Sequence, residues 1–235
     1  MNYLITGASS GVGFETVLEL SLRSSNRIIA LARSDDKLQN LLNIARSITP
    51  DCKVHILKFD IVHDNYQETL IPFIKTHFNH IDVLINNAGQ LINKPFLELN
   101  DEDWAEMFDS NIMGAVKMIR NLLPYFAKSQ AHIVNIGSMG GFLGSSKFSG
   151  LSAYSAAKAA LHNLTECLAT ELADKNISVN CLALGSAQTE MLEKAFPGYK
   201  SPVLAYEMGA YIANFAATGH KFYNGKVLPV ALQTP

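Results

Sequence analysis

Cysteine is scarce in this chain, which has three among its 235 residues, at Cys52, Cys167 and Cys181. They form no CxxC pair, and an odd number cannot all be joined in disulfides within one molecule. This count argues against a disulfide-rich secreted domain and favours a reducing, cytoplasmic compartment. No cysteine or further histidine follows His77 and His80 at metal-ligand spacing, so we expect a solvated helix end there and no metal site.

No charge of one sign dominates, and no apolar run is long. Lys and Arg number 19 against 21 Asp and Glu, so the formal net charge is −2, and the basic residues are spread along the chain. The lack of a basic stripe argues against a nucleic-acid partner, and the lack of a run of spanning length argues against a membrane. The first strand-like run begins at residue 2, from which we expect no signal or transit peptide.

Apolar residues make up 48% of the chain, and short apolar runs alternate with longer amphipathic ones. Strands of a parallel sheet are buried on both faces and therefore have continuous apolar runs, as here. The alternation predicts an α/β fold: a doubly wound parallel sheet of about seven strands with helices on both faces, in a single domain over 1–235. The predicted strands are 2–6, 27–32, 53–59, 82–86, 132–137, 177–184 and 225–230; the predicted helices are 12–24, 35–48, 64–79, 101–127, 152–174 and 204–218; and 139–151 and 185–203 are predicted to be irregular.

A glycine-rich turn, TGASSGVG, joins the first strand to the first helix over residues 6–13. In the Rossmann type of α/β fold, such a turn lets backbone N–H groups at the helix N-terminus approach a pyrophosphate. An ordinary glycine-rich turn would look the same in isolation, but its place after the first strand favours a dinucleotide site. The candidate cofactor-binding residues of this turn are Gly7, Ser9, Ser10, Gly11, Val12 and Gly13.

The end of the second predicted strand bears on which dinucleotide binds. An NAD site usually places an acidic residue there for the ribose hydroxyls, whereas an NADP site places an arginine nearby. Ala32 stands where the acid would be expected, and Arg33 and Ser34, which follow it, suit a 2′-phosphate. Asp35 and Asp36 fit the first turn of the next helix, with Ser34 as its N-cap. NADP(H) is therefore favoured, and NAD(H) remains the alternative.

Tyr154 and Lys158 share one face of a predicted helix because they are four residues apart in SAYSAAKAALHNL. A free phenol has a pKa of about 10, which is too high for acid–base catalysis at neutral pH. A fixed ammonium group nearby favours the phenolate, so we expect an acid–base catalyst in which Lys158 lowers the pKa of Tyr154. The alternative is a buried tyrosine beside a lysine that reaches water.

These two residues belong to a set of motifs that stand in a fixed order along nearly the whole chain. The set resembles the short-chain dehydrogenase/reductase family in its compact branch, and it is far more specific than any single motif. The resemblance implies a Rossmann-type fold and a nicotinamide-dependent oxidoreductase. The motifs are TGASSGVG (6–13), FDI (59–61), NNAG (86–89), SNIMG (110–114), IVNIGS (133–138), YSAAK (154–158) and LGSAQT (184–189).

The resemblance implies four catalytic positions. Tyr154 would be the acid–base group, and Lys158 would lower its pKa and hold the nicotinamide ribose. Ser138 would hydrogen-bond the substrate oxygen, and Asn111 would hold a water that relays protons from Lys158. From the residues alone, Ser138 also fits a strand-end turn, and Asn111 stands in a predicted helix interior, where asparagine is unfavourable.

The resemblance also implies the rest of the cofactor site. NNAG would equally suit an ordinary strand-to-helix turn. The implied residues are Asp60 and Ile61 at the adenine; Asn87, Ala88 and Gly89 where the backbone runs close to the dinucleotide; and Gly185 and Thr189 at the nicotinamide carboxamide.

Two departures from the family pattern lie near the nicotinamide end. Leu184 stands where a proline is usual, which we expect to loosen that loop. The segment between Ser138 and Tyr154 is a few residues longer than usual, and we expect it to bulge over the substrate pocket beside a lid at about 186–204. Apolar side chains of these segments would either line the pocket or merely pack the lid onto the sheet. They are Met139, Phe142, Leu143, Phe148, Met191, Leu192, Phe196, Pro197 and Tyr199.

The predicted activity is an NADP(H)-dependent oxidoreductase that moves a hydride between nicotinamide and a carbonyl or secondary alcohol, in the direction of reduction. Its substrate would be a small molecule, either an apolar or aromatic ketone or a 3-oxoacyl compound. A catalytically silent NADP(H)-binding sensor is the alternative, and a lyase or epimerase on the same scaffold is a third reading. The resemblance further implies a homodimer or homotetramer that forms through helices 101–127 and 152–174.

Overall fold

Seven strands form one sheet in the computed structural model, which describes residues 1–232. The observed strand ends agree with the predicted ones to within two residues. Residues 233–235 of the predicted domain lie outside the described part of the chain. The strands are β1 (Asn2–Thr6), β2 (Arg27–Ala32), β3 (Lys53–Lys58), β4 (Val83–Asn86), β5 (Ala131–Ser138), β6 (Ile177–Leu184) and β7 (Val227–Val230).

Every pairing between neighbouring strands is parallel, and the order across the sheet is β3-β2-β1-β4-β5-β6-β7. This confirms the predicted doubly wound α/β architecture. The connecting segments contain the α-helices. They are α1 (Gly11–Ser21), α2 (Asp35–Ile48), α3 (Ile71–His77), α4 (Asp101–Phe108), α5 (Gly114–Leu122), α6 (Ser152–Glu171), α7 (Glu190–Ala195) and α8 (Ala205–Thr218).

A hydrophobic cluster covers each face of the sheet. On one face α1, α2 and α8 bury side chains such as Leu41 and Phe215 against the strands. On the other face α3, α5 and α6 bury side chains such as Ile74 and Met118. Removing this apolar surface from water is the main stabilising term for such a fold. The central strands are therefore rigidly held, and their ends can position a site.

The predicted helix 101–127 is not continuous. A π-helical turn, Asp109–Met113, separates α4 from α5, and a 3₁₀ turn, Leu123–Tyr125, follows α5. At the π turn, Ser110 Oγ donates to Glu106 O at 2.7 Å, and Asn111 Nδ2 donates to Met107 O at 2.9 Å. These side-chain bonds satisfy carbonyls of the preceding turn. Such turns occur frequently at functional sites, and here the turn carries a predicted catalytic residue.

Two other helix predictions need correction. The segment 64–79 begins with a π-helical turn, Tyr66–Leu70, before α3. The segment 185–203, predicted to be irregular, contains the short helix α7, whose N-cap Thr189 accepts a hydrogen bond from Leu192 N at 3.2 Å. At the far end of α6, Asn176 takes the left-handed conformation with φ +56° after a 3₁₀ turn. None of the helices within residues 1–232 is long and apolar enough to cross a membrane.

Candidate active site

The carboxyl ends of the central strands open into one cleft. The strand order reverses between β1 and β4, and open α/β sheets bind ligands at such a switch point. The cleft has a volume of about 580 Å³, which is typical of small-molecule sites. Every residue predicted for the cofactor or for catalysis lines it: Gly7, Ser9, Ser10, Gly11, Val12, Gly13, Arg33, Ser34, Asp60, Ile61, Asn87, Ala88, Gly89, Asn111, Ser138, Tyr154, Lys158, Gly185 and Thr189.

The turns that follow β1 and β4 are joined by side-chain hydrogen bonds. Thr6 Oγ1 accepts hydrogen bonds from the backbone N–H groups of Asn87 and Ala88, each at 3.0 Å. Asn87 Nδ2 in turn donates to the carbonyl oxygens of Thr6, at 3.0 Å, and Gly7, at 3.1 Å. The glycine turn and the NNAG turn are therefore one structural unit at the centre of the cleft.

The glycine turn has the shape of an anion cradle. Gly7 and Gly11 have positive φ angles of +69° and +57°, which favour glycine. A Cβ atom at Gly13 would lie 2.5 Å from Gly7 O, so only glycine fits there. The N-cap of α1, Ser10, makes no side-chain capping bond, which leaves its hydroxyl and the first N–H groups of the helix facing the cleft. These features fit the pyrophosphate of a dinucleotide.

Beside β2, a polar bridge that sequence reasoning missed joins the end of that strand to the loop after β4 and to α4. The Gln90 amide lies 3.0 Å from Arg33 Nη1 and 2.7 Å from Glu106 Oε1, and it bonds to both when its oxygen faces Arg33. Lys37 also lines the cleft, and its Nζ lies 3.4 Å from Glu190 Oε2. Arg33 and Lys37 thus bring two basic groups to the part of the cleft that follows β2, which is suited to the adenosine half of a cofactor.

Asp60 stands at the same end, after β3. Burial acts to raise its pKa, but hydrogen bonds from the Val62 N–H, at 2.8 Å, and from His63 outweigh burial and hold the pKa below its ordinary value. Its backbone N–H donates to Asp64 Oδ2 at 2.7 Å. The carboxylate is thus ionised and fixed in place by its own turn.

The catalytic candidates lie together where β5 and α6 meet. Tyr154 and Lys158 are both buried, at 9% and 5% exposure, and they project from one face of α6 toward the end of β5. Lys158 Nζ donates to Ile136 O at 2.9 Å and lies 5.8 Å from the centre of the Tyr154 ring. Ser138, the last residue of β5, has its hydroxyl beside that of Tyr154.

The expected lowering of the Tyr154 pKa is not observed. Burial raises the pKa of Tyr154 above its ordinary value, and the contact with the Ser138 hydroxyl only partly opposes this. Burial also lowers the pKa of Lys158 to about 8, so it stays mainly protonated at pH 7. In this structure, Tyr154 is therefore a neutral phenol that can donate a proton.

Asn111 is brought to the same place by the π turn. Its Nδ2 donates to Gln90 O and to Met107 O, each at 2.9 Å, while its Oδ1 has no hydrogen-bond partner in the described part of the chain. A Cβ atom at Gly89 would lie 2.6 Å from Asn111 Oδ1 and 3.3 Å from Lys158 Nζ. The free oxygen and the ammonium group therefore face one small space that Gly89 keeps open. A proton relay through Asn111 stays a prediction.

His162 is a neighbour of the site that sequence reasoning missed. It follows Lys158 by four residues on α6, and its Nε2 accepts a hydrogen bond from the backbone N–H of Ser138 at 3.4 Å. Burial, together with the nearby Lys158 charge, lowers the pKa of His162 to about 4. The ring is therefore neutral at pH 7 and can act as an acceptor. The four-residue spacing from Tyr154 to Lys158 to His162 was the signal in the sequence.

Only some of the apolar side chains predicted to line the substrate end of the cleft do so. Met139, Phe148, Met191, Leu192 and Phe196 line the cleft. Four predicted wall residues do not. Phe142 packs on His162, Leu143 is 95% exposed, Pro197 is exposed, and the hydroxyl of Tyr199 lies 3.2 Å from Ser186 Oγ.

The loop after Leu184 is tied down, contrary to the expectation that it would be loose. Gly185 N donates to Val230 O at 2.9 Å, and Gln188 N donates to Val203 O at the same distance. Leu184 itself is buried. The loop therefore keeps its place without a proline, because β7 and the segment before α8 hold it.

Of the two histidines near residue 80, only His77 differs from expectation. His77 is partly buried and stacks on His55 with ring centroids 3.9 Å apart, whereas His80 is exposed, with its Nε2 3.1 Å from Asp82 Oδ1. Within residues 1–232, no group of three or more His, Cys, Asp or Glu side chains is placed to hold a metal ion.

Comparison with known proteins agrees with this geometry. The family model for short chain dehydrogenases matches residues 2–200. An uncharacterised oxidoreductase of Staphylococcus epidermidis is 32% identical over 191 residues, covering 81% of this chain and 79% of that protein. An uncharacterised oxidoreductase of Staphylococcus aureus is 30% identical over 187 residues, covering 79% of this chain and 78% of its own length.

Solved structures share the fold. A variant of the actinorhodin polyketide ketoreductase, solved with NADPH, has a TM-score of 0.86 at 24% identity and covers 98% of this chain and 95% of its own. The L-sorbose reductase of Gluconobacter frateurii, solved with NADPH and L-sorbose, has a TM-score of 0.85 at 23% identity, over 100% of this chain and 97% of that one.

Fold, site and sequence similarity together define a nicotinamide-dependent oxidoreductase. The chain belongs to the short-chain dehydrogenase/reductase family.

Proposed function

We propose that this protein is an NADP(H)-dependent reductase that converts the carbonyl group of a small molecule to an alcohol. The observation that carries the proposal is the group of Tyr154, Ser138 and Lys158 at the carboxyl end of β5, in the cleft that also contains the glycine cradle. When bound there, the nicotinamide would supply a hydride to the carbonyl carbon.

The protein's own residues would handle the proton and the oxygen. The carbonyl oxygen would lie between the hydroxyls of Ser138 and Tyr154, which are neighbours. Ser138 would donate a hydrogen bond that stabilises the developing negative charge, and the Tyr154 O–H would give its proton to complete the alcohol. Lys158 would stabilise the phenolate that remains. The raised pKa of Tyr154 supports reduction, because the group starts the reaction protonated.

Preference for NADP(H) rests on the far end of the cleft. Arg33 and Lys37 line the cleft, so a guanidinium group and an ammonium group would be available to bind a 2′-phosphate. No acidic residue ends β2, where Ala32 stands instead. Arg33 binds phosphate well because its planar fork donates two parallel hydrogen bonds.

The reaction is tested with deuterium. NADPH that carries deuterium at C4 of the ring is incubated with the protein and a panel of ketones, and the alcohols are analysed by mass spectrometry. We expect deuterium on the carbinol carbon of any product. A sensor would bind NADPH and give no alcohol, and a lyase or epimerase would give a product that contains no deuterium. Either result would contradict the proposal.

The cofactor preference is tested at Arg33. We expect Arg33→Asp to reduce kcat/KM with NADPH by about 100-fold, because the guanidinium–phosphate bonds are replaced by repulsion. The NADH value should change far less. Lys194→Asp, on the exposed side of α7 and outside the cleft, makes the same charge change as a control. An unchanged ratio of the two efficiencies in Arg33→Asp would remove the basis for NADP(H).

The predicted homodimer or homotetramer and the cytoplasmic location stay predictions. For assembly, the candidate contact helices are α4 and α5, within 101–127, and α6, within 152–174. Sedimentation velocity of the purified protein measures the assembly directly.

A further inference from the structure

The substrate end of the cleft contains aromatic and aliphatic side chains. Phe148, from the loop between β5 and α6, meets Phe196, which follows α7, edge to face with ring centroids 5.9 Å apart. Both rings line the cleft, together with Leu91 and Leu151. The same rings pack in one hydrophobic cluster with Tyr154. The apolar wall therefore adjoins the hydroxyl proposed to protonate the substrate.

Five charged side chains line the cleft in the described part of the chain, and four of them, Arg33, Lys37, Asp60 and Glu190, each face a polar partner within the protein. The remaining one, Lys158, is bound to the Ile136 carbonyl beneath the site. In the described part of the chain, no arginine or lysine lines the cleft besides Arg33, Lys37 and Lys158, so a carboxylate placed against Phe148 and Phe196 would lose water without gaining an ion pair.

The apolar wall is held in place by the loop after β4. Asn93 Nδ2 donates to Ala195 O, the last carbonyl of α7, at 2.7 Å. Lys94 N donates to Gly150 O at 3.0 Å, which ties the same loop to the segment that carries Phe148. The two segments that bring the phenylalanine rings together are thus both anchored to residues 93–94. The wall is a built surface rather than two independent loops.

We propose that the substrate is an uncharged carbonyl compound with an aromatic or other flat apolar group next to the carbonyl, bound against Phe148 and Phe196. This inference rests on the proposed function, because Tyr154 and Ser138 fix where the carbonyl lies. The proposed substrate class excludes keto acids, whose carboxylate would face the apolar wall. It therefore distinguishes between substrates that have the same reacting carbonyl group and differ in the group next to it.

Four ketones separate charge from ring contact: pyruvate, methyl pyruvate, phenylglyoxylate and methyl phenylglyoxylate. All four have the same α-keto carbonyl, the esters remove the charge, and the phenyl compounds add the ring. We expect methyl phenylglyoxylate to have the highest kcat/KM, about tenfold or more above each compound that lacks one feature. Equal efficiency for phenylglyoxylate and its methyl ester would overturn the inference, as would reduction of other ketones with none of these four.

Variants test the wall itself. Phe148→Ala and Phe196→Ala should each reduce the preference for methyl phenylglyoxylate over methyl pyruvate by about 3- to 10-fold. Leu143→Ala, on the same loop as Phe148 but 95% exposed, is the matched control and should leave the preference unchanged. Unchanged preference in both phenylalanine variants would contradict the assignment.

A positive charge placed on the apolar wall should shift the preference from the ester toward the acid. Phe148→Arg should raise kcat/KM for phenylglyoxylate relative to its ester by about tenfold, because the carboxylate gains a partner. NADPH affinity, measured alongside, reports whether each variant is folded, since residue 148 belongs to the loop between β5 and α6 and not to the glycine turn. Failure of Phe148→Arg to favour the acid would count against this placement. Lack of any ketone turnover by the wild type, with NADPH bound, would overturn the proposed function itself, and this inference with it.

Discussion

At the scale of single residues, the chemistry comes from polar groups that are buried on one face of α6. Tyr154, Lys158 and His162 follow one another at four-residue spacing, and each contacts the end of β5. The motifs predicted the first two because a phenol and an ammonium group on one helix face are unusual. The direction of the Tyr154 pKa could not be predicted, since it depends on how completely the folded chain buries the phenol beside Ser138, which no sequence pattern specifies.

His162 is expected to position Ser138 rather than to touch the substrate. His162→Leu removes the acceptor for the Ser138 N–H, and we expect kcat to fall about 3- to 10-fold with little change in KM. His162→Gln offers a side-chain oxygen in place of Nε2 and should recover part of the loss. Steady-state kinetics of the three proteins checks this. If His162→Leu and His162→Gln have the same kcat, the hydrogen bond between Ser138 N and His162 Nε2, at 3.4 Å, has no role in positioning Ser138.

At the scale of elements, the sequence was most informative where an element is long and buried. The strands and α2 were predicted closely because their apolar runs are continuous or strongly periodic. The segment 101–127 was not, because a π turn changes the periodicity by only one residue, and side chains of Ser110 and Asn111 hold it in place. Helix α7 has 6 residues, too few for a periodic signal.

The junction of β1 and α1 gives a prediction for one element. In Gly13→Ala the new methyl group would overlap Gly7 O and the Asn87 side chain, so the turn must shift. We expect NADPH affinity to fall at least about 30-fold, equivalent to roughly 2 kcal/mol. The control is Gly144→Ala, at φ +79° but with nothing within 4 Å, which should cost about 1 kcal/mol of stability and leave NADPH affinity unchanged. Isothermal titration calorimetry measures the NADPH affinity of both variants. Wild-type affinity in Gly13→Ala would contradict the assignment of the glycine turn to the cofactor.

At the scale of the whole molecule, burial lowers the pKa of four histidines, His55, His132, His162 and His220. Burial lowers the pKa values of His55, His132 and His162 to about 4 each, with neighbouring positive groups adding to the effect at His55 and His162. His132 lies on β5 and is almost completely buried against α8. Its Nδ1 contacts Ala216 O at 3.0 Å, and its Nε2 contacts Asn180 Nδ2 at 3.1 Å. No periodic pattern identifies such pairings, which depend on tertiary contacts.

These histidines predict how stability varies with pH. Their ordinary pKa is 6.5, so between about pH 4 and 6.5 the unfolded chain binds more protons than the folded one. The free energy of unfolding should therefore be highest above pH 6.5 and fall as the pH drops toward 4. A fully buried histidine contributes a slope of up to about 1.4 kcal/mol per pH unit in that window, and the more exposed His55 less. The raised pKa of Glu15 works in the opposite direction.

Urea unfolding at pH 7.0, 6.0 and 5.0 measures the slope. His132→Gln should reduce it, whatever its effect on stability at pH 7, because one titrating group is removed. A free energy of unfolding that is constant or rises as the pH falls to 5 would show that the histidines are not held neutral.

The central claim is that Tyr154 performs acid–base chemistry on a substrate bound beside a nicotinamide cofactor. The most direct measurement compares Tyr154→Phe with the wild type in two assays, NADPH affinity and turnover of the best-reduced ketone. We expect turnover to fall by about 100- to 10,000-fold, because the proton donor is lost, while the Kd for NADPH changes by less than about threefold. Wild-type turnover in Tyr154→Phe would contradict the account, since the proton would then come from another group.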